Sequence, residues 1–232
     1  MTEDEHLLTR RGSLLQLGGI AAVALGVASG TEVAEGASAA GPAGVASGAV
    51  SCVLAPEQTE GPYYIARERV RRNVSEGKPG VPLTLRARVV NATTCAPLKG
   101  ATVDIWHADA AGDYSGFGAG AGDGSFCRGI QPTDAHGLAL FQTIYPGWYP
   151  GRAVHIHVKV HVRGNVVHTG QLYFPDAVTD AVFRGRVPYL KRPARDTRNA
   201  ADAIFRNGGS KSLLALRRAG KGYDASITMG VT

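Results

Sequence analysis

From Leu83 onward, apolar and polar residues alternate along the chain with period two. Leu83, Leu85, Ala87 and Val89 alternate with Thr84, Arg86 and Arg88, as in a strand with one apolar face. Val103 and Ile105 share a face of a second strand over 101–106. Residues 138–144 and 166–174 read as further strands. Between them, Ile156, Val158, Val160 and Val162 alternate with His155, His157, Lys159 and His161. That pattern predicts a half-buried strand with His155 and His157 side by side on its polar face. Turn residues fill 91–100 and 133–137, and two Pro-Gly pairs at 146–147 and 150–151 bracket Trp148 and Tyr149. Helical spacing is scarce, with one short helix at most over 199–206. Short strands separated by turn signals predict an all-β fold, an antiparallel β-sandwich with long loops and little helix. No internal repeat is visible.

Composition changes this picture at the N-terminus. Thr9-Arg10-Arg11-Gly12-Ser13-Leu14-Leu15 is a twin-arginine pattern, with serine where phenylalanine is commoner. An apolar run to about Ala28 follows, then an Ala/Gly/Ser-rich stretch with Ala-x-Ala sites such as Ala37-Ser38-Ala39. The run is too short and glycine-rich for a membrane span. Residues 1–50 are therefore read as a twin-arginine signal peptide and linker, and residues 51–232 as one catalytic domain. The expected location is secreted or extracytoplasmic, with transient engagement of the twin-arginine export machinery. A protein exported folded can be loaded with its metal beforehand.

The formal charge is +6; the first fifty residues hold two Arg and five Asp/Glu, leaving 23 Lys/Arg against 14 Asp/Glu, or +9. No basic stripe interleaved with aromatics suggests a nucleic-acid partner, and the excess reads as a soluble, charged surface. Three cysteines, Cys52, Cys95 and Cys127, permit one disulfide with one thiol left over, and the sequence does not choose the pair. Their spacing matches no thiolate metal site. Oligomeric state stays open, a homo-oligomer included.

The candidate chemistry lies in Tyr145-Pro-Gly-Trp-Tyr149-Pro-Gly-Arg152-Ala-Val-His155-Ile-His157. Two imidazoles on a stiff strand make a ready pair of metal ligands, and the turn upstream can fold a tyrosine over them. No Cys-x-x-Cys or His-Glu-x-x-His offers a rival site. His-x-His alone also suits a secreted Zn or Cu enzyme. The segment Ala96-Pro-Leu-Lys-Gly-Ala-Thr-Val-Asp-Ile-Trp suits a non-catalytic, transthyretin-like binding module.

Four motifs occur in order: Thr59-Glu-Gly-Pro-Tyr63; Val103-Asp-Ile-Trp-His-Ala-Asp-Ala-Ala-Gly-Asp-Tyr114-Ser-Gly; Tyr145 to His157; and Gly170-Gln-Leu-Tyr-Phe174. Together they resemble the intradiol ring-cleavage dioxygenases, nearest the protocatechuate 3,4-dioxygenase type, from about Cys52 to the C-terminus. The long N-terminal helical region of the catechol 1,2-dioxygenase branch has no counterpart here. The resemblance implies a non-haem Fe(III) centre held by Tyr114, Tyr149, His155 and His157, with active-site loops around it. It gives Tyr149 a second role as a displaceable ligand and base, Arg152 the stabilisation of negative charge, and Gln171 support of Arg152 or the substrate. Tyr63 falls at the pocket mouth, and Tyr145 has no ligand role. The implied reaction is intradiol cleavage of a catechol by O2 to a cis,cis-muconate, a step in aromatic catabolism. Trp148 is expected to fill part of the pocket. Trp106, His107 and Asp109 are expected to be structural.

Overall fold

Eight strands form two four-stranded sheets in the computed structural model, which describes residues 54–66, 68–117 and 124–232. The signal-peptide reading, Cys52 and most of the glycine-rich loop lie outside these residues. The strands are β1 (Pro82–Asn91), β2 (Thr102–Trp106), β3 (Arg128–Pro132), β4 (Leu138–Ile144), β5 (His155–Val162), β6 (Asn165–Tyr173), β7 (Ala215–Ala219) and β8 (Gly222–Val231). One sheet runs β4-β1-β8-β7, the other β3-β2-β5-β6. The apolar alternates meet between them: Leu83, Leu85, Ala87 and Val89 from one sheet, Val103, Ile105, Ile156, Val158 and Val160 from the other, each at most 1% exposed. Burying such side chains is the main favourable contribution to the fold, roughly 1.5–3 kcal/mol for each large one.

The expected β-sandwich is present, with one departure from strict antiparallel pairing. β1 pairs with β8 in parallel, because the chain reaches β8 through the whole second sheet and a helical segment. That segment contains α1 (Asp176–Gly185), the short α2 (Ala203–Arg206) and single 3-10 turns. α2 falls where a short helix was expected, whereas α1 was not foreseen; it buries Thr179 and Val182.

The register sets up the site. Trp106 on β2 lies opposite His157 on β5, which lies opposite Gln171 on β6, and His155 lies opposite Tyr173. These residues stand on the face of the second sheet turned away from the sandwich core. That face is not solvated. β5 is buried on both faces through its first six residues, which corrects the half-buried expectation. The cover is a strap over residues 55–66, held by backbone and side-chain bonds. Gln58 N–H donates to the Thr169 carbonyl at 2.9 Å, Gln58 Nε2 donates to the Ile204 carbonyl at 2.9 Å, and Lys159 pairs with Glu60.

Cys95 is disulfide-bonded, and Cys127 is the free thiol among the described residues. Burial pushes the Cys127 thiol up to about 12, so it is inert packing. His107 is structural, as expected. Its ring is fully buried, with Nδ1 2.8 Å from the Ala108 carbonyl and Nε2 2.8 Å from the Thr143 hydroxyl. Burial holds its pKa at about 4. Since the unfolded chain takes up this proton near pH 6.5, stability is lost as pH falls through that value. The expected loss from this group between pH 7 and pH 5 is about 2 kcal/mol. Urea unfolding should show the gap between wild type and His107→Gln narrowing by that amount at pH 5.

Candidate active site

His155 and His157 project side by side with their Nε2 atoms 3.1 Å apart. His155 Nδ1 lies 2.6 Å from the Ala153 carbonyl. A carbonyl can only accept, so Nδ1 carries the proton and Nε2 presents its lone pair. The His157 ring stacks on Trp106 at 4.9 Å and 6°, so Trp106 does more than pack the fold: it sets the plane of a site histidine. Burial holds His155 at about 3 and His157 well below the usual histidine value. Both are neutral near pH 7, as donors to a metal must be.

Two tyrosines complete the cluster. The Tyr149 hydroxyl lies 3.2 Å from His155 Nε2, placed there by the turn between the Pro-Gly pairs. Tyr114 meets Tyr149 edge to face at 5.7 Å and His157 at 6.1 Å between ring centroids. Its loop is shaped by Asp109, whose Oδ1 accepts from the N–H groups of Ala111 and Asp113 at 2.8 and 3.1 Å. Asp109 Oδ2 pairs with Lys78 at 2.8 Å, so the loop-holding role expected of Asp109 is present. Gly112 sits at φ +93°, and a Cβ there would come within 2.3 Å of the Trp148 carbonyl oxygen. Only glycine lets this loop close against the Pro-Gly turn. Burial raises the phenol pKa of Tyr114 well above 10, and raises that of Tyr149 despite the attraction of Arg152.

Arg152 lies between these groups and the sheet. Its Nη1 donates to the Tyr149 hydroxyl at 3.2 Å, its Nε to Asp202 Oδ2 at 3.0 Å, and its Nη2 to Gln171 Oε1. Gln171 Oε1 also accepts from the Tyr173 hydroxyl at 3.0 Å, and its Nε2 donates to the Thr59 carbonyl at 3.0 Å. Of the two supporting roles open to Gln171, the geometry places it on Arg152. Asp202 and Tyr173 were missed in the sequence. Asp202 did leave a signal, because it stands as N-cap of α2, with Oδ1 accepting from Ile204 and Phe205 N–H.

A cavity of about 200 Å³ opens beside the cluster, lined by Tyr63, Gly112, Asp113, Tyr114, Phe117 and Tyr149. Tyr63 stacks on Tyr114 at 4.4 Å and 20°, held by its carbonyl accepting from Arg128 Nη1 at 2.6 Å. Tyr63 is thus at the pocket, as expected. Trp148 is not. Its ring packs against the sandwich core and under the Arg192 guanidinium at 4.7 Å. Tyr145 is fully buried away from the cluster, its hydroxyl 2.7 Å from Thr179 Oγ1, in keeping with no ligand role.

Four side chains thus converge, two imidazole nitrogens and two phenol oxygens. His157 Nδ1 is buried without a partner among the described residues, so a proton on His157 Nε2 can bridge to the His155 Nε2 lone pair at 3.1 Å, a place that a cation could take instead; the Tyr114 hydroxyl is buried with no well-formed hydrogen bond among the described residues. Among the described residues no group of three or more His, Cys, Asp or Glu could hold a metal, so the histidine pair depends on the tyrosines for further donors. Phenolates are hard, anionic ligands that favour ferric over ferrous iron. The donor set fits a ferric ion.

A family model described as dioxygenase matches residues 59–185, which holds all four converging side chains. A catechol 1,2-dioxygenase of Acinetobacter lwoffii is 35% identical over 98 residues, covering 40% of this chain and 35% of its own length. The chain therefore spans about a third of that relative. An intradiol ring-cleavage dioxygenase from Tetranychus urticae is 34% identical, with a TM-score of 0.73 over 78% of this chain and 95% of that one. The dioxygenase domain of a dioxygenase and carbohydrate-binding protein fusion from Streptomyces sp. SirexAA-E is 35% identical, with a TM-score of 0.59 over 77% and 99% of the two chains. With this match over more than half its length and that architecture around the two histidines and two tyrosines, the chain belongs to the intradiol ring-cleavage dioxygenase family.

Proposed function

We propose that this protein is a non-haem Fe(III) dioxygenase that opens a catechol ring between its two hydroxyl-bearing carbons. The observation that carries this reading is the convergence of Tyr114, Tyr149, His155 and His157 beside a small aromatic cavity. Bound there, a ferric ion would supply the Lewis acidity that holds the phenols ionised far below their buried pKa and draws electron density from the catechol.

The protein's own groups divide the remaining work. Tyr149 lines the cavity and holds a hydrogen bond from Arg152. Its oxygen is therefore the group placed to take a proton from an incoming catechol hydroxyl. Arg152, fixed by Asp202 and Gln171, keeps a permanent positive charge beside that oxygen and stabilises the phenolate and developing negative charge on the substrate. Tyr63, Tyr114 and Phe117 offer ring faces and edges that orient a single aromatic ring. The strap keeps bulk water from the histidines. Its Gly61 lies so close that a Cβ would come within 3.2 Å of the His157 ring.

Catechol and O2 combine atom for atom into cis,cis-muconic acid, both oxygen atoms entering the product. Iron-loaded protein should consume one O2 per catechol and yield a muconate, with no yellow ring-opened aldehyde. Failure of iron, with activity restored by zinc or copper, would favour the alternative metalloenzyme. The twin-arginine pattern at Arg10-Arg11 supports export to an extracytoplasmic location.

A further inference from the structure

Of the described residues lining the cavity, Asp113 alone is charged. Its backbone is fixed on both sides: Asp113 N–H donates to Asp109 Oδ1 at 3.1 Å, and its carbonyl accepts from Asp109 N–H at 2.8 Å. Its side chain is exposed, and no ion pair or hydrogen bond among the described residues engages the carboxylate. The loop holds an uncommitted negative charge at the cavity wall, one residue from Tyr114.

The nearby cations among the described residues are committed elsewhere. Arg128 donates to the carbonyls of Ser115 and Tyr63. Arg192 donates to the carbonyls of Ala110 and Trp148 and attracts Asp113 only at longer range. Arg152 is tied to Asp202, Gln171 and Tyr149. An anionic substituent on a bound ring would therefore find no free guanidinium at the described wall and would meet a carboxylate.

We propose that Asp113 is a specificity-determining residue, which selects neutral or ammonium-bearing single-ring catechols over catechols carrying a ring carboxylate. The inference rests on the dioxygenase reading and names the substrate class of that same site. It runs against the resemblance to the protocatechuate type, and against the sign of the net charge, +9 over residues 51–232. Net charge acts on encounter at long range, whereas the group at the wall acts on the bound ring.

Two like charges about 6 Å apart at a partly solvated site change relative binding by about tenfold. The test is kcat/KM of the iron-loaded protein for catechol, protocatechuate and 4-(aminomethyl)catechol, in wild type, Asp113→Asn and Asp113→Lys. Wild type should favour catechol and the amine over protocatechuate by about tenfold or more. The preference should shrink in Asp113→Asn, reverse in Asp113→Lys, and weaken in wild type as salt is raised. Equal use of catechol and protocatechuate by wild type would overturn the inference and leave the dioxygenase reading standing. So would a ratio unchanged in Asp113→Asn or indifferent to salt. No ring opening of any of the three would instead overturn the dioxygenase reading, and this inference with it.

Discussion

Replacing Tyr149 with phenylalanine is expected to lower kcat/KM for catechol by a factor of about 100 or more and to weaken iron retention. The change removes one oxygen and leaves the ring. That oxygen lies 3.2 Å from both His155 Nε2 and Arg152 Nη1, and among the described residues no other side chain bridges these two groups. On the proposed reading a ferric ion would lose an anionic donor and the catechol the base beside it, and Arg152 is left with one partner fewer. The paired control is Tyr145→Phe, also in the central stretch. Its hydroxyl contacts Thr179 in the core, so its loss should cost about 1 kcal/mol of stability and leave iron content and turnover unchanged. Iron analysis and initial rates on the two variants separate the roles. Retention of both iron and activity by Tyr149→Phe would refute the assignment.

Asp202→Ala is expected to have the largest effect on folding. The carboxylate is 1% exposed and accepts four hydrogen bonds, from Arg152 Nε, Ala153 N–H, Ile204 N–H and Phe205 N–H. Its loss uncaps α2, strands the Ala153 N–H and leaves the half-buried Arg152 without its counter-charge. Breaking such a pair and cap costs about 3 kcal/mol or more. Burial opposes ionisation of Asp202, but the Ala153 N–H and the Arg152 guanidinium outweigh it and hold its pKa below the usual carboxylate value. The stabilisation is therefore present above about pH 4 and lost as pH falls through the depressed value. The gap between wild type and Asp202→Ala in chemical unfolding should close in acid. Asp202→Asn keeps one oxygen acceptor, enough to cap α2, while its NH2 faces the Arg152 and Ala153 donors, so it should recover only part of the stability. It removes the charge that fixes Arg152, so turnover should still fall, by about tenfold. Full activity in Asp202→Asn would show that Arg152 needs no carboxylate to hold its place.

The strands that carry the site were legible because their faces differ in chemistry. Val158 and Val160 against His157 and Lys159 give a direct period-two signal, and the i, i+2 rule alone places both histidines together. The burial of that polar face was not legible, because the strap that covers it comes from a segment a hundred residues earlier in the chain. β8 alternates Tyr223, Ala225, Ile227, Met229 and Val231 with Asp224, Ser226 and Thr228, so its period-two signal is readable in the sequence. Its parallel pairing with β1 depends on topology, which periodicity does not encode. Among site residues, Tyr114, Tyr149, Arg152 and Gln171 followed from ordered motifs, whereas Asp202 and Tyr173 act through contacts between distant segments. Trp148 departs from its expected place for the same reason: Arg192, 44 residues on, holds its carbonyl and lies over its ring, which packs on the core.

The visible absorption spectrum of the iron-loaded protein, before and after catechol is added under nitrogen, tests the central assignment most directly. Tyr114 and Tyr149 bound as phenolates to a ferric ion should colour the resting protein red-brown through charge transfer, and catechol should move the band to longer wavelength. A colourless protein, whether it holds zinc, copper or no metal after reconstitution, would contradict the ferric, tyrosine-ligated site.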